Sequence, residues 1–270
     1  MRGTSEKSRD AALRTFEPVV AAAGPEAARL AVDLFKVVDT LDASSSLRRA
    51  LSDPARPGTD KAVLVTALFH ELDERVRDAV ADFASRRWWH EDDLGDAIED
   101  ASVSALLASA EASGSLGTVE EELFRVERLI SSEPDLHTAL DNRSATGAAR
   151  TALAHTVLGT HVSPVTLALV DRATGAPRGR RFATMLAYYI AAAAERQGRI
   201  VAEVTAAVEL SAAQRARLVS LLGSLYDRDV RVNVSVDPGV IGGVRVRVGD
   251  EVMDGTMLAR LDDARRRLVG

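Results

Sequence analysis

The chain has 270 residues and a formal net charge of −6; 46% of its residues are apolar and only 4% are aromatic. It has no cysteine, which excludes disulfides and thiolate metal sites and points to a reducing compartment. Few aromatics and abundant alanine and leucine favour helices over a large β-sandwich.

The opening residues MRGTSEKSRD are polar, with no secretory leader expected. No window approaches the roughly eighteen uncharged apolar residues that a spanning helix needs. MLAYYIAAAA from Met185 is the longest candidate, and Glu195 and Arg196 close it. A soluble or peripheral protein is expected. The charge is uneven. From Arg199 onward there are 11 basic and 10 acidic residues, and before it 23 basic and 30 acidic. An acidic first part suits a basic partner surface better than a nucleic acid.

Most of residues 5–198 reads as helix. Gly24-Pro25 separates a first helix from a second. Ser52-Asp53-Pro54, Pro57 and Gly58 make a loop. Trp88 and Trp89 are the only tryptophans: one is expected in the core, and the other half-covers a helix junction or anchors an interface. His90-Glu91-Asp92-Asp93 reads as a polar helix start rather than a metal cluster. Thr118 with Glu121 reads as a capping box, followed by Leu123, Val126, Leu129 and Ile130 at helical spacing. Ser163-Pro164 reads as an N-cap with proline at the first helical position. Arg178–Arg181 reads as a solvated helix start, with contact to acidic protein or anionic lipid as the other reading.

The helical part repeats itself. Shifted by 89 positions, LRRALSDPARPGTDKAVL from Leu47 lies on LHTALDNRSATGAARTAL from Leu136. Leu47, Ala50, Leu51, Gly58 and Leu64 match Leu136, Ala139, Leu140, Gly147 and Leu153, and Lys61 meets Arg150. A duplicated helical unit is expected, near 41–86 and 130–175.

The pattern changes after Gly198. RIVAEVTAAVEL alternates at Ile200, Ala202, Val204 and Ala206. VRVNVSV alternates at Val230, Val232, Val234 and Val236, and VRVRVG from Val244 does the same. Period-two alternation predicts strands with one buried face. Between the first two lies a helix, Ser211–Leu225, capped by Ser211 and Gln214, with Leu218, Leu221, Leu222 and Leu225 as its buried stripe. GTMLARLDDARRRL predicts a closing helix. The fold class expected is mainly α: an N-terminal helical bundle over 1–198, then a small C-terminal α+β domain over 199–270.

The glycines of GVIGGVRVRVGDEVMDG do not hold a phosphate. A P-loop needs a lysine and a hydroxyl that this stretch lacks, and Gly242-Gly243 opens a strand, whereas a dinucleotide fingerprint opens a helix. Asp237-Pro238-Gly239 reads as a turn, and Gly249-Asp250 turns the chain out of the strand. Arg245 and Arg247 lie opposite Val244, Val246 and Val248, on a solvated face or one that meets an acidic partner. No HExxH, GxSxG or serine–histidine–acid arrangement occurs, and no catalytic residue, cofactor or metal is expected. Two other classes remain: a nucleotide-dependent enzyme, against which the missing phosphate motifs argue, and a nucleic-acid binder using Arg178–Arg181 and Arg265–Arg267, which lack interleaved aromatics.

The stretch from Val230 to Leu268 resembles the C-terminal signature of the delta subunit of F-type ATP synthases, the oligomycin-sensitivity-conferring protein family. The matching positions are Val230, Val232, Val236 and Asp237, then Val240, Gly242 and Gly243, then Val244, Val246, Arg247 and Gly249, then Asp250, Val252, Asp254 and Gly255. GRIVAEVTAAVELSAAQRARLVSLLGSLYDRDVRV resembles the strand, helix and strand that precede it, and LRRALSDPARPGTDKAVL the family's helical element. This chain resembles a long variant, with the repeat accounting for its excess length. The resemblance implies a peripheral-stalk subunit without chemistry of its own, on the cytoplasmic side of the cell membrane. It implies that the helical part binds amphipathic N-terminal segments of alpha subunits and that the C-terminal part holds a b-type stalk subunit. It implies no nucleotide and no nucleic acid.

Overall fold

The computed structural model describes residues 3–158, 162–198, 200–226, 230–237, 243–248 and 251–254. The helices run α1 (Thr4–Ala23), α2 (Ala27–Ala43), α3 (Ser45–Ser52), α4 (Gly58–Leu68), α5 (Glu74–Ser85), α6 (Glu91–Ala112), α7 (Leu116–Ser132), α8 (Pro134–Leu140), α9 (Gly147–Leu158), α10 (Pro164–Gly175) and α11 (Phe182–Arg196). There follow β1 (Ile200–Ala206), α12 (Ala212–Tyr226), β2 (Val230–Val236), β3 (Val244–Val248) and β4 (Glu251–Asp254). A 3-10 turn at Gly24–Glu26 joins α1 to α2, at the Gly-Pro break read from the sequence. Two compact units result, Met1–Ile190 and Ala191–Gly270.

The 89-residue shift carries the element boundaries with it. It places α2 on α7 at both ends, α4 on the start of α9, and α5 one residue short of α10. It also places α1 on α6 and α6 on the start of α11, so α6 serves as sixth helix of one set and first helix of the next. The correspondence thus extends well beyond the two stretches that the sequence paired.

Sharing α6 explains its burial. Fifteen of its residues are buried, on all sides, among them Asp93 and Glu99. Arg14, Pro18 and Ala21 of α1 are exposed, whereas their counterparts Val103, Leu107 and Ala110 of α6 are buried. The most extensive helix pairing is α2 on α6. Leu30, Ala31, Leu34, Val37, Val38 and Leu41 form the buried stripe of α2, recurring at three- and four-residue spacing.

Matched positions do matched work. Lys61 is 1% exposed, and its Nζ donates to the carbonyl of Ala84 at 2.9 Å. Arg150 is buried, and its Nε donates to the carbonyl of Thr174 at 2.9 Å. Each cation crosses from the fourth helix of its set to the last turn of the fifth, where carbonyls lack helical donors. Gly58 and Gly147 sit at the matching close approaches. A Cβ at Gly58 would lie 3.1 Å from Ser85 Cβ, and one at Gly147 would lie 2.3 Å from the carbonyl oxygen of Gly175. Backbone cannot yield as a side chain can. Gly147→Ala is therefore expected to cost about 1–3 kcal/mol, and Gly58→Ala less. Urea unfolding of the two variants side by side checks the order.

Some expectations need correction. Thr118 is not a cap: α7 already starts at Leu116, after Ser115, so Thr118 lies inside the helix. Leu129 lies on its edge, 39% exposed. Ser163 does cap α10, accepting from Thr166 N–H at 3.3 Å. Ser211 and Gln214 form the reciprocal pair ahead of α12, at 2.9 and 3.3 Å.

In the second unit the strand order is β2-β1-β3-β4. The first two strands are parallel, with α12 as the crossover, and the other neighbours are antiparallel. Ala202, Val204, Leu222, Val230, Val232 and Val246 make the core. β4 is a strand that the alternation did not reveal, because four residues are too few to show a period. The stripe of α12 is also rotated from the one expected: Leu222 is buried with Leu218, Val219 and Tyr226 beside it, while Leu221 and Leu225 are 59% and 62% exposed. Val236 ends its strand 51% exposed. The expected closing helix, GTMLARLDDARRRL, lies outside the described residues.

Candidate docking surfaces

The signature residues frame one end of the sheet. Ala206, the last residue of β1, pairs with Val236 on one side and Val244 on the other. Asp237 follows the first and Gly243 precedes the second, so both stand just beyond that end. The N–H of Asp237 donates to the carbonyl of Ala206 at 2.9 Å, extending the ladder by one bond. Gly243 has φ of 88°, in the region open to glycine and costly for other residues. Val246 is 5% exposed, between Val204 and Met253 in register. Asp254 stands opposite Arg245 at the end of β4. Val240, Gly242, Gly249, Asp250 and Gly255 lie outside the described residues. Arg247 lies on the solvated face, where it pairs with Glu203 of the neighbouring strand.

The first unit is organised around a charged cluster that the sequence reading missed. Glu99 of α6 is 1% exposed. It accepts from Arg172 Nε at 3.0 Å and Arg178 Nη1 at 2.9 Å, and Arg180 Nη2 lies at 3.2 Å. Arg172 also reaches Asp39 of α2 at 2.5 Å, and Arg178 reaches Asp42 and Asp96 at 2.7 and 2.6 Å. Three arginines from α10 and the loop after it thereby bind four carboxylates from α2 and α6. Burial opposes the charge of Arg178, but Glu99, Asp96 and Asp42 outweigh it and raise its pKa. The same balance, with Asp39 and Glu99, raises that of Arg172. The reading of Arg178–Arg181 as a solvated helix start is therefore wrong for Arg178, whose side chain is 9% exposed. The run itself was visible; what it faces was not.

A second polar site lies between α1, α6 and α11. Tyr188 Oη donates to Asp100 Oδ1 at 2.7 Å, with Arg9 Nη1 at 3.7 Å from the other oxygen. Burial pushes the Asp100 carboxyl up; Tyr188, Arg9 and Arg180 pull it down and Asp96 adds to the rise. A carboxyl with a raised folded pKa lends stability below the ordinary carboxylate range and loses it as pH rises through its own pKa. Asp100→Asn keeps an acceptor for Tyr188 and removes the charge. It is expected to be more stable than the parent at pH 7, the difference closing at pH 4. Thermal unfolding across that range checks it.

The outer surface carries apolar residues at matched places. α4 and α9 lie largely at the surface and bury only two residues each: Lys61 and Val65, and Arg150 and Ala154. Val63 and Leu68 are 70% and 48% exposed on α4, and Val157, the counterpart of Leu68, is 38% exposed on α9. Trp88 is in the core, its Nε1 donating to Phe83 at 2.9 Å, while Trp89 is 73% exposed just before α6. Ahead of α6 the N–H of His90 donates to Asp93 Oδ2 at 3.1 Å, and Ser5 of α1 donates to the same oxygen at 2.6 Å. Among the described residues no group of three His, Asp or Glu is placed to hold a metal. Among them, too, no helix is long and apolar enough to cross a membrane.

The family model for the ATP synthase delta (OSCP) subunit matches residues 101–268. That span opens in α6 and takes in the second set of helices and the C-terminal unit. The chain is 46% identical to the ATP synthase subunit delta of Beutenbergia cavernae, over all of both chains. It is 41% identical to that of Kineococcus radiotolerans, over 99% of this chain and 98% of the relative, and 41% identical to that of Streptomyces avermitilis, over 98% of each. These relatives share the long form, so the first set of helices is common to them. The chain belongs to the ATP synthase delta (OSCP) subunit family, the peripheral-stalk component of the F-type ATP synthase, and is a subunit of that membrane-associated enzyme complex.

Proposed function

We propose that this chain is a non-catalytic stator link, joining amphipathic N-terminal segments of alpha subunits to a b-type stalk subunit on the cytoplasmic side of the cell membrane. Torque on the rotor then drives ATP synthesis because the catalytic head cannot turn with it. The helical part takes the head, and the part from 199 onward, with the signature residues in a structural role, takes the stalk. The two helical sets are read as one duplicated unit.

The observation that carries this reading is the pair of exposed apolar side chains on α4, Val63 and Leu68, with Val157 at the place on α9 that matches Leu68. Large apolar side chains exposed next to one another on a surface helix mark a place that a partner can cover. An amphipathic helix laid on such a face buries its i, i+3 and i+4 anchors. The acid excess before Arg199 attracts basic flanks of such a segment. A stator must resist torque, so slow dissociation matters more than fast association.

The test is calorimetric titration of the full chain with a peptide from the alpha-subunit N-terminus of the same source. Saturable binding at micromolar concentration or tighter is expected, lost in Val63→Asp with Leu68→Asp. Binding that survives both substitutions overturns the docking face. Absence of binding to the alpha peptide and to the b-type subunit alike overturns the link.

A further inference from the structure

Between α8, the start of α9 and the loop from α10 to α11 lies a cavity of about 570 Å³, within the range of small-ligand sites. Its walls include Arg143, Arg150, Arg180 and Arg181, against one carboxylate, Asp141. The matched place in the first set of helices is built otherwise. The 89-residue shift puts Pro177 where Trp88 stands, Arg180 and Arg181 where Glu91 and Asp92 stand, and Arg143 where Pro54 stands. The Trp88 indole is 5% exposed and fills the first set, and there Arg48 lies 3.8 Å from Glu91 and 3.3 Å from Asp92. In the second set the bulky ring is gone and the acidic pair has become a basic pair. Space and positive charge appear together.

Of the four cations, only Arg180 is paired with carboxylates among the described residues. Arg180 belongs to the Glu99 cluster, bound to Asp96 at 3.0 Å. Arg150 is only 9% exposed and donates to three backbone carbonyls, of Thr174, Asn142 and Ala145, with no carboxylate in ion-pair distance among the described residues. Arg143 donates to the carbonyl of Gly179 at 2.5 Å, again a neutral partner. Arg181 is exposed, and while its carbonyl accepts from the N–H of Met185 at 3.1 Å, its guanidinium has no hydrogen bond or ion pair among the described residues. Asp141 is committed to the N–H of Phe182 at 2.8 Å. Three guanidiniums, Arg143, Arg150 and Arg181, thus face one carboxylate, an excess of two positive charges around a concave space. A buried cation without a counter-charge is costly unless an anion supplies it.

We propose that this pocket binds a phosphoryl dianion, held by Arg143 and Arg181 over the buried charge of Arg150. Guanidinium forks match the oxygens of a phosphate in geometry and charge, and two excess charges match its dianionic form. The anion is either free phosphate or the phosphate end of a nucleotide. The pocket lies within 137–182, and its chemistry is independent of what the chain docks onto.

The experiment is titration of the full chain with inorganic phosphate and, separately, with ADP, by calorimetry at constant ionic strength in chloride. Saturable binding of phosphate is expected, weakened at least about tenfold in Arg143→Ala with Arg181→Ala and abolished in Arg181→Glu, which restores the sign found at Asp92. Arg128→Ala, an exposed arginine away from the pocket, is expected to leave it unchanged, and all variants are expected to keep the parent's circular dichroism. Tighter binding of ADP than of phosphate identifies the nucleotide as the source of the anion; equal or weaker binding identifies free phosphate. No saturable binding of either anion overturns the site, as does binding that the Arg143 and Arg181 variants leave intact.

Discussion

Glu99→Gln is expected to cost about 3–5 kcal/mol, because removing one member of a buried ion cluster strands the others. Glu99 takes three arginines at once and is 1% exposed, so water cannot replace it. The amide keeps one acceptor and turns its N–H groups toward guanidinium donors. The melting temperature should fall by roughly 10 °C or more. Asp96→Asn, at a carboxylate 33% exposed, should cost much less. Equal losses at the two positions, or none at Glu99, would show that the cluster does not hold α2, α6 and α10 together. Thermal unfolding at low and high salt separates the cases, because screening reaches Asp96 and not Glu99.

A chain reduced to residues 90–270 is expected not to fold cooperatively, although it retains the whole span that the family model matches. The reason is α6. Val103, Leu107 and Ala110 are buried there, where the corresponding Arg14, Pro18 and Ala21 of α1 face water. The truncation removes α2, whose Leu30, Leu34, Val37, Val38 and Leu41 are at most 1% exposed. At about 1.5–3 kcal/mol per fully buried side chain, losing this stripe forfeits on the order of 10 kcal/mol. A whole domain holds only about 5–15 kcal/mol. The truncated chain should bind a hydrophobic dye and lose dispersed amide resonances, as a loosely packed state does. A sharp, two-state transition in that chain would sink the idea that residues 1–89 complete the core.

The buried cluster and the shared helix were not legible in the sequence for the same reason. RGRR at Arg178–Arg181 states a local charge, and charge in a sequence reads as surface. Its partners, Asp42, Asp96 and Glu99, lie 79 to 136 positions away along the chain. Likewise Val103 and Leu107 are buried on α6 although the corresponding Arg14 and Pro18 of α1 face water, and that difference is made by the helices packed around α6. The α12 stripe failed on a smaller scale. Leu218, Leu221, Leu222 and Leu225 all fit a helical period, and only packing on the sheet chose Leu218 and Leu222 over the other two.

By itself the sequence determined the local items: helix after helix to Arg196, three of the four strands among the described residues, and the caps at Ser163 and Ser211. These rest on propensity, periodicity and turn chemistry, which act over a few neighbours. It also offered the 89-residue correspondence, which needs only comparison of the chain with itself. Tertiary structure alone decided that α6 serves both sets, that Arg178 is buried while Arg181 is free, and that one set is filled by Trp88 where the other opens a basic pocket. Those outcomes depend on which distant side chains meet, and pairing across a hundred residues is set by packing and charge in three dimensions, which no local pattern encodes.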